Sequence, residues 1–258
     1  MTTPGQMYGI VLALLFAVAA GLVGSFALMK RMLLASDVIS HVALPGIGLA
    51  FLFGFNPILG GATTLFLGTL LIWQLQKRTG LATDAMVGVV FAGSLAIGAA
   101  LTPQEDLVEA LFGRYPSLSL FTFLLGVAAV VLVIVVIFRF RDQLLLSLFS
   151  PELAAATSVR LDRLNLYFLL MFSLTVLVGL RFMGALLAGA LIIIPATTGR
   201  RLAGNLPHFL MYSCVASVAA VGLGLLITGF VLPRFSPGPI VVAISALFFA
   251  LSLLKEAS

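Results

Sequence analysis

YGIVLALLFAVAAGLVGSFALMKR, residues 8–31, decides what kind of chain this is. Tyr8 through Met29 carries no charged side chain, and Lys30 and Arg31 then arrive together. A helix of about 20 apolar residues spans the roughly 30 Å hydrocarbon layer of a bilayer and satisfies its own backbone hydrogen bonds there. The stretch lacks the basic start of a signal peptide and is long enough to stay in place. It reads as a first membrane helix that ends at a positively charged boundary.

The remainder repeats this pattern. Of 258 residues, 62% are hydrophobic and only 9% charged, with a mean hydropathy of +1.23; soluble domains carry roughly 25% charged residues. Hydropathy places nine spans near 8–29, 36–55, 57–76, 84–102, 118–138, 165–180, 182–198, 207–231 and 237–254. The expected fold is therefore an all-α, polytopic transmembrane bundle of eight or nine spans. It forms a single domain over 1–258, with no room for a soluble catalytic domain beside it. The sixth and seventh segments are short, at about 16 residues or ~24 Å each, and Arg181 lies between them. Gly184 with Ala188, and Ala185 with Gly189, suit close helix packing, and Pro195 is expected to break the second segment near its inner end. The single Cys214 excludes an internal disulfide framework and a cysteine-built metal site.

Sidedness follows from the lysines and arginines, which favour cytoplasmic loops. With the N-terminus outside and the C-terminus inside, 11 of the 14 basic residues fall on the inner side, and only Arg114, Arg181 and Arg234 stay outside. The net charge of +5 is thus a topological signature and not a nucleic-acid surface. An outer loop, TPQEDLVEALFGRYPS at 102–117, carries Glu105, Asp106 and Glu109 and reads as solvated, or as a dock for an external partner. On the inner side Ser150 as N-cap, Pro151 at the first helical position and Glu152 in the first turn spell a short helix. A plain connector and a lever pushed by a cytoplasmic motor both fit that phrase.

Ionisable groups inside spans are costly and mark function by default. Asp37, His41 and Asp84 qualify. Asp37 and His41 are four residues apart, so a helix puts them one turn apart on one face, close enough to share a cation. A carboxylate with a neutral imidazole suits Mn²⁺, Zn²⁺ or Fe²⁺, with Ser36 and Ser40 beside them as supporting hydrogen-bond partners. Two ligands make half a site. The pair equally fits a structural role, with Asp37 as a first-turn acid hydrogen-bonded to His41. Asp84 fits best as an acid opening the fourth span, with a gating role as the alternative.

SDVISHVALPGIGLAF (36–51) resembles the signature near the second helix of the permease subunits of manganese, zinc and iron ABC importers, the ABC-3 type. The likeness continues in order through TDAMVGVVFAGSLAIGAAL (83–101), FSPELAAATSVRLDRLN (149–165), RFMGALLAGALIIIPATTGRRLA (181–203) and SPGPIVVAISALFFALSLL (236–254). The usual glycine of the cytoplasmic phrase appears here as Ser158 or lies elsewhere. The resemblance implies a homodimer of this chain in the cell membrane, two cytoplasmic ATP-binding cassette subunits that hold the ATP, and an extracytoplasmic metal-binding protein. It implies that Asp37 and His41 belong to the metal path. It also implies that the segment at about 150–165, with Pro151, Glu152, Ala155 and Ser158, docks on the ATPase. The expected role is transport, not catalysis: no cofactor is held permanently, and the divalent ion is cargo. A proton-coupled secondary carrier is the alternative, although such carriers often show inverted repeats and none is evident here.

Positive-inside counting puts Asp37 and His41 near the cytoplasmic start of the second span, where they would act at an exit. Gly46 and Gly48 after Pro45 offer a bend or a close packing that would draw the pair deeper.

Overall fold

A computed structural model describes residues 4–32, 38–101, 118–156, 160–230 and 236–254, with backbone alone at 151, 155, 156 and 181–187. Helices account for nearly all of these residues, and no strand occurs among them. The helices are α1 (Pro4–Met29), α2 (Leu44–Phe53), α3 (Pro57–Thr79), α4 (Thr83–Leu101), α5 (Leu120–Phe149), α6 (Pro151–Ala156), α7 (Leu161–Leu202), α8 (Leu206–Phe230) and α9 (Pro237–Ser252). Six stretches are long and apolar enough to cross a membrane, and Val38–Phe53 and Pro237–Ser252 are shorter apolar helices.

The sequence assigns α1 no special rank, yet it is the axis of the bundle. Phe16, Ala17, Ala20, Val23 and Phe26 are fully buried, and the helix packs against α5, α7 and α8. Small residues permit this. A side chain added at Gly24 would run into the Ile192 carbonyl of α7, and one at Gly21 would stand 2.8 Å from the Cys214 Cα of α8.

The helix ends sort as charge patterning requires. Lys30 Nζ donates to Asn165 Oδ1 at 2.9 Å, and Asn165 Nδ2 donates to Gln76 Oε1 at 2.8 Å, so the end of α1, the start of α7 and the end of α3 meet. Arg201 Nε donates to the Ser252 carbonyl at 3.1 Å, joining the ends of α7 and α9. This is the basic end of the bundle. At the opposite end Leu118 N–H, just before α5, donates to the Gly5 carbonyl of α1 at 3.1 Å.

Two boundaries differ from expectation. The fifth span runs on past 138 as one helix to Phe149, because residues 139–149 contain no glycine or proline and Pro151 is the first to interrupt. Pro195 does not break its helix, which continues to Leu202; packed neighbours let membrane helices tolerate an interior proline.

The expected short pair is present as two arms of α7. Although α7 is helical throughout, a Cβ on Gly179 would lie 3.2 Å from the Ala188 Cβ. Nine residues of a straight helix cover about 13 Å, so the axis reverses between them. Phe16 lies 14 residues before Lys30 and Gly179 lies 14 after Asn165, and these two residues touch. The reversal therefore begins about 21 Å from the basic end. Gly5 stands 11 residues beyond Phe16, about 16 Å further along α1. The hairpin turns back inside the bundle, short of its opposite end.

Candidate functional site

The site begins with a helix that stops. Residues 38–41 form one helical turn, Val42 and Ala43 bond three residues back, to Ile39 and Ser40, with Ala43 keeping right-handed backbone angles, and α2 starts at Leu44, so the four-residue ladder is interrupted here. Pro45 explains the break, since it has no N–H to give to the carbonyl four residues earlier, which belongs to His41. The chain thus leaves regular helix directly after its candidate ligand. Interrupted helices at membrane depth are tolerated where protein surrounds them or a cavity opens, and they commonly mark ion and substrate sites.

Two helices clamp this segment. From α3, Thr64 Oγ1 lies 3.3 Å from the Ala43 carbonyl and within reach of the Gly60 and Gly61 carbonyls. Gly68 leaves room for the Val42 side chain, and Gly60 meets Gly46 backbone to backbone. From α4, a Cβ on Gly98 would stand 2.7 Å from the Leu44 Cβ. The Phe91 ring of α4 lies 5.6 Å from the His41 ring, tilted by 56°. Phe91, Thr64 and Gly68 carry no chemical signal in the sequence, so reading it did not find them.

These contacts fix depth. Gly68, against Val42, is the central residue of α3, eleven positions from Pro57 and eleven from Thr79. Phe91, against His41, is eight positions from the start of α4 and ten from its end. His41 therefore sits halfway through the bundle, not at the basic end where charge counting alone had it. Of the bend and the close packing that the sequence offers, the close packing is seen, at Gly46 against Gly60.

Of the other expected site residues, Ser40 is fully buried beside His41. Asp37 and Ser36 lie outside the described residues, as do Ser158 and the loop 103–117. Asp84 is exposed in the first turn of α4, two turns before Phe91 and about 10 Å from it along the axis. That is the position of a helix-opening acid. No group of three His, Cys, Asp or Glu side chains placed to hold a metal occurs among the described residues. The second histidine, His208, is exposed and bonds Asn205 at the start of α8, far along the sequence from this segment.

The inner phrase folds as its cap residues require. Ser150 ends α5, and its carbonyl accepts from Ala154 N–H at 3.0 Å as α6 begins at Pro151. Glu152 and Leu153 are exposed and Ala154 is buried. Phe149, immediately before, is 80% exposed. An apolar and acidic ledge thus projects from the basic end, with the Ala155 backbone inside its helix.

Comparison with known proteins gives this architecture its family. The profile of the ABC 3 transport family matches residues 6–256. The manganese import system permease protein ScaB of Streptococcus gordonii is 30% identical over 247 residues, covering 94% of this chain and 88% of ScaB. The high-affinity zinc uptake system membrane protein ZnuB of Haemophilus influenzae is 29% identical over 259 residues, covering 98% and 97%. The structure titled PsaBC from Streptococcus pneumoniae in complex with Fab contains a chain of the same fold, with a TM-score of 0.84 at 24% identity, covering 99% of this chain and 93% of that one. A chain spanned by apolar helices from end to end, and matched over nearly its whole length, is a multi-pass membrane protein that belongs to the ABC 3 transport family.

Proposed function

We propose that this chain is the permease subunit of an ATP-driven importer of divalent transition-metal ions, with Mn²⁺, Zn²⁺ and Fe²⁺ as the cargo class. The observation that carries this reading is the family match over residues 6–256, together with relatives matched over nearly their whole length whose names are a manganese import permease protein and a zinc uptake membrane protein. ATP hydrolysis belongs to a separate cytoplasmic subunit, docked on α6 and the residues that follow, Pro151 to Asn165. The exposed Phe149, Glu152 and Leu153 support that docking.

In this reading the N-terminus is outside and the basic end faces the cytoplasm. An extracytoplasmic metal-binding protein delivers the ion at the opposite face, and Asp37 and His41 hold it at mid-membrane. Two ligands from one chain leave a divalent ion under-coordinated, which suits a site that must release as readily as it binds. The remaining ligands come from water and from a second copy of the chain. Support for that copy comes from α4, which packs chiefly on α2 and α3 and leaves Ala85, Gly88, Ala92, Leu95 and Ala99 exposed at alternating three- and four-residue spacing. Small residues in that rhythm let two membrane helices approach closely. Phe91, on the edge of the same face, touches His41. Nucleotide-driven movement of α6 then exposes the site alternately to the two sides.

The test is ATP-dependent uptake of radioactive manganese and zinc into vesicles holding this chain with its ATPase. Asp37→Ala and His41→Ala are each expected to lower uptake about 10-fold or more, the scale on which damaged ligand shells weaken metal sites. Unchanged flux in both variants would overturn the site assignment, and uptake that persists without the ATPase would overturn the importer reading.

A further inference from the structure

A groove of about 710 Å³ opens at the basic end between α3 and the first arm of α7, with Trp73, Lys77, Arg160, Asp162, Arg163 and Tyr167 at its rim. Its walls are held in place. Trp73 Nε1 donates to the Asp162 carbonyl at 2.9 Å, and the Lys77 ammonium lies 5.5 Å from the centre of the Trp73 ring. The Tyr167 ring packs on Phe140 with centroids 5.4 Å apart. Behind the groove, the Lys30–Asn165–Gln76 chain ties α1, α7 and α3 together.

Three cations here face one carboxylate. Lys77, Arg160, Arg163 and Asp162 are all exposed, and none of the three cations forms an ion pair among the described residues, where the only such pair is Arg141–Asp142. Beyond the rim, toward the middle of α3 and of the first arm of α7, the adjoining helix faces are apolar. Leu70 and Phe66 precede Trp73 by three and seven residues on the same face of α3, and Leu170 follows Leu166 by one turn on α7. Tryptophan and tyrosine favour the headgroup level of a bilayer, and lysine and arginine extend from there to reach charge. Leu70 is exposed, so this apolar strip runs along the outside of the bundle toward the level of the bilayer interior, where a water-soluble partner does not reach.

We propose that this groove binds an anionic phospholipid, its phosphate held by Lys77, Arg160 and Arg163, its glycerol region against Trp73 and Tyr167, and one acyl chain along Phe66, Leu70, Leu166 and Leu170. Basic pockets between membrane helices select anionic head groups in this way. Arg160, Asp162 and Arg163 form the far end of the segment assigned to ATPase docking, so this inference rests on the ATPase contacting that segment chiefly through the α6 ledge.

Trp73 is the only tryptophan in the chain, which makes the test site-specific. The full chain is reconstituted in phosphatidylcholine vesicles containing a minor fraction of acyl-brominated lipid, and quenching of Trp73 emission is measured. Brominated phosphatidylglycerol is expected to quench at least about twofold more than the same fraction of brominated phosphatidylcholine. The K77Q/R160Q/R163Q variant should lose that preference, while R139Q/R141Q, which removes charge elsewhere near the same end, should keep it. Equal quenching by the two lipids in the unaltered chain overturns the proposal, as does a preference that survives in the triple variant. Millimolar inorganic phosphate should leave the preference intact; its abolition assigns the groove to a free anion. Protection of Trp73 from the lipid on adding the ATPase subunit assigns it to that protein instead.

Discussion

His41 shows how one backbone vacancy can place a side chain. Pro45 withholds the N–H that would continue the helix through His41, and the segment then leans on Phe91 and Thr64 in place of its own ladder. A histidine on an unbroken helix would need its depth set by the whole span. Here the break and two neighbouring helices set it. Lys30 poses a different residue-scale question, because a half-buried ammonium at a helix junction is held between Asn165 and the face of Phe168, whose centroid is 5.0 Å away. Burial pushes its pKa down from 10.5 to about 8. The folded value lies below the unfolded one, so between them the unfolded chain binds the extra proton and stability rises with pH. Below about pH 8 the burial cost is fully present, and above about 10.5 it is gone. The melting temperature of the purified chain should therefore climb between pH 8 and pH 10 more steeply than that of Lys30→Met; parallel curves for the two proteins would refute the burial effect.

At the scale of elements, what distinguishes the site's helices is how close they come. The α2–α3 crossing is backbone against backbone, with Gly46 and Gly60 each occupying the place where the other's side chain would have to go. A flexible side chain gives way cheaply and a carbonyl does not, so Gly46→Leu is expected to destabilise the chain by about 3 kcal/mol, at the upper end of overpacking costs. Thermal unfolding in detergent measures it. Gly93→Leu is the control, because nothing lies within 4 Å of its added Cβ, and a comparable loss there would show that steric approach is not the cause. The same contacts explain why α7 cannot be understood from its length. Its 42 residues would reach about 63 Å if straight, far beyond any bilayer, and the Gly179–Ala188 approach folds it into a hairpin that ends inside the bundle.

For the whole molecule, the arrangement is lopsided. α1 is enclosed on its sides by α5, α7 and α8, whereas α4 lies at the margin with its small residues outward. If that margin is where two copies meet, a cysteine on it should find its twin. In a Cys214→Ser background, which removes the only native thiol, Ala92→Cys is expected to give disulfide-linked dimers in native membranes under mild oxidation, and Leu132→Cys on the exposed side of α5 is expected to give none. Dimers from Leu132→Cys alone would place the interface elsewhere. Such a dimer would bring two Phe91–His41 contacts toward one axis, giving the half-sites a route to complete each other.

The apolar segments, their order, the charged ends gathered on one side and the short helix opened by Pro151 were legible in the sequence, because each depends on sums over neighbouring residues: hydropathy over a span, charge at its end, a cap and a proline at a turn. Even the short pair around Arg181 could be read that way. Depth could not. The mid-bundle position of His41, the reversal of α7 before the opposite end, the marginal place of α4 and the groove beside Trp73 all follow from which helices touch and how closely. Those contacts turn on residues such as Gly60, Gly68 and Gly98, whose lack of a side chain leaves no local chemical mark. Only the folded chain decides what fills the space that each of them leaves.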